Sequence, residues 1–372
     1  MAAPPTKKRK LNDDTTEAVQ SNNEYNICAE VHETCQMIMK HQNKSDAEHD
    51  CKENEVWIDE QAIDAEIAKN GDKYLKQCID ELEWEKDAYH YFNANDMELT
   101  LRFILVLDAL NFCFWPLPNY EYEHLGAGLK RTLQRDANAF NPQNLMTLKK
   151  ETLSEWLLSA FDDKQAKIPL IEERTRLLNE VGRVIHYEYD GKVCNFVKSA
   201  RGSATKLVEL ISKKFRGFSD HCICPWMGKQ VFFYKRAQIF VAEIYAAYKG
   251  QSIGKFDDIA QLSCFADYRV PQLLRALNII KYSDRLSALI DAEKLIQAGS
   301  REEILIRASM ICAVEKLKEK LNEHRKKQAN ADGAKFKELI SIEIDWCLWN
   351  RGEQLNADKK LKPHHRTLTV YY

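Results

Sequence analysis

The stretch KRAQIFVAEIYAAYKG (residues 235–250) decides the fold class. Ala237, Phe240, Val241, Ile244, Tyr245 and Tyr248 fall at i, i+3, i+4, i+7, i+8 and i+11, one face of an α-helix, and Gly250 follows as a stop. Lys235 and Arg236 lie off that face, where a solvated position is the ordinary expectation. The same spacing recurs outward along the chain. Leu177, Leu178, Val181, Val184 and Ile185 form one helical face, and Met310, Val314, Leu317 and Leu321 another. Phe336, Ile340, Ile344 and Leu348 recur every four residues. Strands are expected at most as short pieces around 193–197 and 367–372. The fold class is therefore all-α. No Pro/Gly/Ser linker interrupts residues 56–372, so a single helical domain from about 55 to 372 is expected.

Composition sets the outer limits. The chain has 372 residues, 45% hydrophobic and 30% charged, proportions ordinary for a globular protein. A formal charge of −2 excludes a protein whose whole surface coats nucleic acid. The longest apolar region, 103–115, is broken by Asp108 and Asn111 and is too short to span a membrane. No phosphate loop or dinucleotide-binding glycine turn is legible among only 13 glycines. The 11 cysteines are odd in number and scattered, and no secretory leader is legible. That pattern fits a reduced cytoplasmic or nuclear protein with thiols as small buried hydrophobes. His221-Cys222-Ile223-Cys224 is the one tight cluster, but it lacks a second ligand pair at zinc spacing. No metal is expected, and the cluster reads as a loop before Pro225.

Residues 1–54 are polar and lack a regular apolar pattern, so a disordered tail is expected there. Within it, Lys7-Lys8-Arg9-Lys10 after a proline resembles a nuclear-localisation run; a solvated charge run is the plain alternative.

Candidate chemistry lies where polar groups interrupt apolar sequence. Asp345, on a helix with Ser341, Ile342 and Trp349 as neighbours, is a carboxylate with few partners. It either pairs structurally with a cation or is held ready for a developing positive charge. Asp267 stands beside Arg269, its obvious local partner. His90, between Tyr89 and Tyr91, reads first as a hydrogen-bonded core histidine. No Gly-x-Ser-x-Gly, His-Glu-x-x-His or kinase signature is present.

Seven strings, in order, resemble the queuosine salvage protein family of queuosine 5′-phosphate N-glycosylase/hydrolases. They are DALNFCFW (108–115), PLIEERTRLLNE (169–180), FYKRAQI (233–239), FADYRVPQ (265–272), KYSD (281–284), IDWCLW (344–349) and HHRTLTVYY (364–372). The resemblance covers residues 56–372. It implies an all-α fold like that of helix-hairpin-helix DNA glycosylases, with a substrate cleft between helical subdomains. It implies hydrolysis of the N-glycosidic bond of queuosine 5′-phosphate, releasing queuine for reinsertion into tRNA, with no cofactor. It also implies roles for residues. Asp345 falls at the catalytic aspartate, Phe265 and Asp267 at the base-binding aromatic and acid, and His90 at a ligand-contacting histidine. Asn350 stands where the family has an acid; an amide can bond hydroxyls but adds no charge. Lys235, Arg236, His364 and His365 are the candidate cations for the 5′-phosphate.

These residue types suit that reaction. Breaking a ribosyl C–N bond builds positive charge on the sugar, which a fixed carboxylate stabilises. A 7-deazaguanine lacks ring N7, so help for the leaving base must come from its other edges. Asp267 suits a guanine-like donor edge, and Phe265 a stacked ring. Direct nucleic-acid binding is not expected. A DNA-repair glycosylase on the same fold would need a glycine hairpin and a basic face, neither of which is legible. An inactive helical scaffold is the third reading, opposed by the two aspartates being present.

Overall fold

A computed structural model describes residues 26–43, 54–80, 83–332 and 338–372. The basic run at residues 7–10 lies outside them, as does Phe336. The described chain is mostly helical. One group of helices comprises α3 (Met97–Leu110), α4 (Tyr122–Arg135), α5 (Pro142–Met146), α6 (Lys150–Leu158), α7 (Ile171–Glu188), α8 (Val193–Ser199), α9 (Ala204–Lys214) and α10 (Lys235–Ala247). A second group comprises α1 (Ile27–Lys40), α2 (Glu60–Asp80), α11 (Arg269–Ala276), α12 (Asp284–Asp291), α13 (Arg301–Asp332) and α14 (Ser341–Ala357). In the first, α3 packs against α4, α7, α8 and α10; in the second, α13 packs against α1, α2, α11 and α14. Two small antiparallel pairings complete the fold. β1 (Val56–Ile58) pairs with β4 (Ile280–Tyr282), Val56 facing Tyr282. β2 (His221–Cys224) pairs with β3 (Lys229–Phe232), His221 facing Phe232. No helix among the described residues is long and apolar enough to cross a membrane.

Local chemistry explains where the helices begin. Side chains of Asn26, Asp96, Ser203 and Ser283 accept from the first free N–H groups of α1, α3, α9 and α12. The Glu343 carboxylate accepts from the Ile340 amide at 3.0 Å at the start of α14. α10 begins differently. Tyr234 is left-handed at φ 50, and the buried Asp220 carboxylate accepts from the Lys235 amide at 3.1 Å.

Several expectations are corrected. The tail predicted over 1–54 does not extend through the described residues 26–43, where α1 buries Ile27, Cys28, Val31, Cys35 and Ile38 and packs on α13. Its apolar positions are few, but they fall on one stripe, which suffices when a long helix covers it. The cysteine cluster is a strand of a hairpin rather than a loop, and among the described residues no group of side chains could hold a metal ion. The segment expected as a strand around 193–197 is helix α8. The last residues carry a single bridge, Leu295 to Arg366, in place of a strand. α10 is buried almost all round, so Lys235 and Arg236 are not on a solvated face; they are 6% and 1% exposed.

Candidate active site

Two buried guanidinium groups shape one side of the site. α3 ends at Leu110, and its last carbonyls lack helical partners. Arg236 donates to the carbonyls of Asp108 at 2.9 Å and Ala109 at 2.7 Å, and also to those of Gly217 and Val370. Arg174 donates to the carbonyls of Leu110 at 2.5 Å and Cys113 at 3.2 Å, and to that of Phe112. Positive charge at a helix C-terminus is favourable in itself. Together they fix the turn Asn111–Phe114, which includes Cys113 at φ 49.

A second buried pair ties the opposite wall to this one. Arg307 on α13 donates to both Asp220 carboxylate oxygens, at 2.9 and 2.5 Å, and to the carbonyl of Ala266 at 3.1 Å. Asp220 holds the start of α10, and Ala266 lies between Phe265 and Asp267. One guanidinium therefore sets Lys235 against the Phe265–Asp267 loop.

Between these walls lies a cavity of about 170 Å³. α10 lines it with Lys235, Ile239, Glu243 and Ala246, a single helical stripe. α14 lines it with Asp345, Trp346, Trp349, Asn350 and Glu353, a stripe of the same period. Phe265, Asp267 and Tyr268 come from the loop before α11; Trp84, Tyr89 and His90 come from the segment before α3. Gly352 lets α14 approach α11, because a Cβ there would lie 3.1 Å from Arg269 Cγ.

Asp345 is 3% exposed, and its Oδ1 accepts from the Phe265 amide at 2.9 Å. Burial, then the nearby Asp267 carboxylate, hold its carboxyl well above the usual range; the Phe265 N–H and Lys235 oppose this. Asp267 accepts from the Val270 amide at 3.0 Å, and burial raises its carboxyl to about 6 against the pull of Lys235. The expected pairing of Asp267 with Arg269 is not the arrangement found. Arg269 instead donates to Glu353 at 2.6 Å and Gln272 at 2.7 Å, and Glu121 lies 3.6 Å away. Burial lowers Lys235 to about 8, and Asp267 is its strongest support. Its Nζ donates to the Asn111 carbonyl at 3.3 Å.

His90 is both a core histidine and part of the cavity wall. Its Nδ1 donates to the Trp84 carbonyl at 2.8 Å, its Nε2 lies 2.9 Å from the Tyr122 hydroxyl, and its ring stacks on Trp84 at 4.0 Å. Tyr122 donates to Glu243 Oε1 at 2.6 Å.

The candidate residues thus divide. Asp345, Asp267, Phe265, His90, Asn350 and Lys235 all line one cavity. Arg236, His364 and His365 do not. Arg236 is committed to backbone carbonyls. His364 stacks on Tyr268 at 4.4 Å, and burial lowers its imidazole to about 4. His365 is buried with Nε2 3.3 Å from the Tyr372 hydroxyl, and burial lowers its imidazole well below the ordinary range. As neutral, enclosed rings these histidines offer no cation to a phosphate. Glu243, Tyr122 and Glu353 were missed by sequence reasoning, and Trp349 was read only as a neighbour of Asp345. Glu243 and Glu353 each follow a recognised residue by eight on the same helix, the spacing that could have revealed them.

The chain is similar to known proteins over most of its length. The family model described as "Queuosine salvage protein" matches residues 89–372. A queuosine 5′-phosphate N-glycosylase/hydrolase of Dictyostelium discoideum is 41% identical over 324 residues, 85% of this chain and 94% of that protein. Proteins of the same name from Sphaerobacter thermophilus and Mus musculus are 33% and 32% identical. These alignments cover 85% and 74% of this chain, and 93% and 82% of those proteins.

Proposed function

Because this chain belongs to the queuosine salvage protein family, we propose that its cavity hydrolyses the N-glycosidic bond of queuosine 5′-phosphate and releases queuine, with Asp345 as the catalytic carboxylate. The observation that carries the reading is the buried Asp345, held by one backbone amide beside Asp267 and Phe265 in a single cavity. As the C1′–N bond opens, the electron pair leaves with the base and the sugar becomes cationic. The Asp345 anion is then the nearest stabilising charge, in surroundings too dry to screen it. Burial also makes it a stronger base toward water attacking C1′ than an exposed carboxylate. Asp267 accepts from the N–H donors of the base edge, and Phe265 stacks on the ring. Asn350 offers an amide to hydroxyls. Lys235 is the only lysine or arginine among the lining residues and sits at the positive end of α10, so it is assigned to the 5′-phosphate. Hydrolysis of queuosine 5′-phosphate by the purified protein, followed by release of queuine, tests the activity.

The cleft between two groups of helices supports the likeness to helix-hairpin-helix DNA glycosylases. The acid-rich cavity wall supports a free nucleotide rather than a nucleic acid as substrate. Lys7-Lys8-Arg9-Lys10 supports residence in nucleus as well as cytoplasm.

Two expected results bear on the roles. Asp267→Ala leaves buried base donors unpaired and weakens queuine binding by about 1–3 kcal/mol; Phe265→Ala removes only stacking and costs less. Calorimetry within twofold of wild type for Asp267→Ala removes that residue from the site. The pH profile of kcat/KM is expected to be bell-shaped. Below about 6 Asp267 gains a proton, which turns one of its two acceptor oxygens into a donor, and the raised Asp345 shifts this limb upward, not downward. Above about 8 Lys235 loses the charge that faces phosphate. A profile flat between about pH 5 and about pH 9 contradicts both assignments.

A further inference from the structure

The charge inside the cavity is one-sided. Lys235 shares the lining with seven carboxyl groups, and aromatic rings gather around one of them, Glu243. There Glu243 is 4% exposed; Tyr122 satisfies Oε1, and Oε2 has no hydrogen-bond partner. Asp108, wholly buried on α3, adds a second carboxyl close enough to oppose Glu243's charge. Rings surround this end: Tyr89 packs edge-on against Tyr122 at 5.6 Å, and Tyr122 against Trp349 at 5.9 Å. A buried carboxylate with an unmet oxygen among aromatic faces is the chemistry that recognises an organic ammonium ion.

α10 lines the cavity with Lys235 at its N-terminus and Glu243 eight residues on, about 12 Å along the helix axis. The substrate assigned above is polarised in the same way. Its phosphate is anionic, while its base carries an aminomethyl arm whose nitrogen, bonded onward to a cyclopentenediol ring, is a secondary amine that is cationic at neutral pH. Resting on that reading, we propose that Glu243 is a specificity-determining residue that binds the ammonium of the base's arm. Tyr122 orients the carboxylate, and the rings of Trp84, Tyr89 and Trp349 face the cation. Phosphate and ammonium thus lie at opposite ends of one helix, and the enzyme selects an arm-bearing deazaguanine over plain guanine-like nucleotides.

The test compares three substrates with the full-length protein: queuosine 5′-phosphate, its analogue with the arm nitrogen replaced by methylene, and 7-deazaguanosine 5′-phosphate. Wild type is expected to favour the ammonium substrate over the methylene analogue by about 10-fold or more in kcat/KM, as loss of a charged hydrogen bond implies. Glu243→Gln, which keeps the acceptor for Tyr122, is expected to reduce that ratio to near one. Equal rates on ammonium and methylene substrates by wild type overturn the proposal without any variant. A ratio unchanged by Glu243→Gln overturns it as well. Failure of wild type to cleave any of the three overturns the nucleotide-hydrolase reading itself.

Discussion

Replacing Asp345 by asparagine is expected to slow single-turnover hydrolysis of queuosine 5′-phosphate by about 100-fold or more, roughly 2.7 kcal/mol of barrier. The change keeps shape, and the amide oxygen can still accept from the Phe265 N–H, so the local geometry survives. What is lost is the charge. Affinity for substrate changes far less than turnover, because the sugar is cationic only in the transition state. A structural role predicts something else. If the carboxylate only holds the Phe265 loop in place, its replacement destabilises the fold and leaves the rate per folded molecule intact. Melting and single-turnover rates on one sample separate the two. A folded Asp345→Asn protein at near-wild-type rate defeats the assignment; Glu343 caps the start of α14 and does not line the cavity, so Glu353, which does, is the next carboxylate to replace.

Arg307→Ala is expected to destabilise the protein by about 3–5 kcal/mol, because Asp220 and Glu303 are left as buried carboxylates without their cation. Burial already raises the Glu303 carboxyl, and the guanidinium also fills the space between the Phe233 and Tyr372 rings, at 4.0 and 4.3 Å. Arg307→Lys should recover only part of the loss, since an ammonium cannot serve both Asp220 oxygens and the Ala266 carbonyl in one plane. Urea titration measures the shift in midpoint at constant slope. A change below about 1 kcal/mol for Arg307→Ala would show that this pair does not hold the two walls together.

Much of this was legible in residue order. The period of 235–250 and 341–357 is a local property, so the helices that carry Lys235 and Asp345 could be read directly. Asp345 betrayed itself as a charge in an apolar stripe. Burial of Arg236 was not legible, because it depends on carbonyls at Asp108, Ala109 and Gly217 that only tertiary packing brings to it. His364 and His365 read as cations from their type alone; enclosure by Tyr268 and Tyr372 makes them neutral. α1 was missed because its stripe is thin and its partner, α13, lies far along the chain. The strand at 221–224 was missed because four residues are too few for alternation to register.

The seams that join α1 to α13, α2 to α14 and β1 to β4 have a consequence for how the molecule comes into being. Synthesis adds about 5–20 residues each second, so on the order of tens of seconds separate the emergence of α1 from that of its cover. During that interval Val31, Cys35 and Ile38 lack their α13 cover, and only α9 and β3, which emerge partway through it, can pack on the stripe. Non-local pairing also slows the final closure, since distant ends must meet before any contact rewards them. A newborn chain therefore spends its early life with an unshielded apolar stripe, and its yield in a cell should rise with slower growth or a larger supply of holding chaperones.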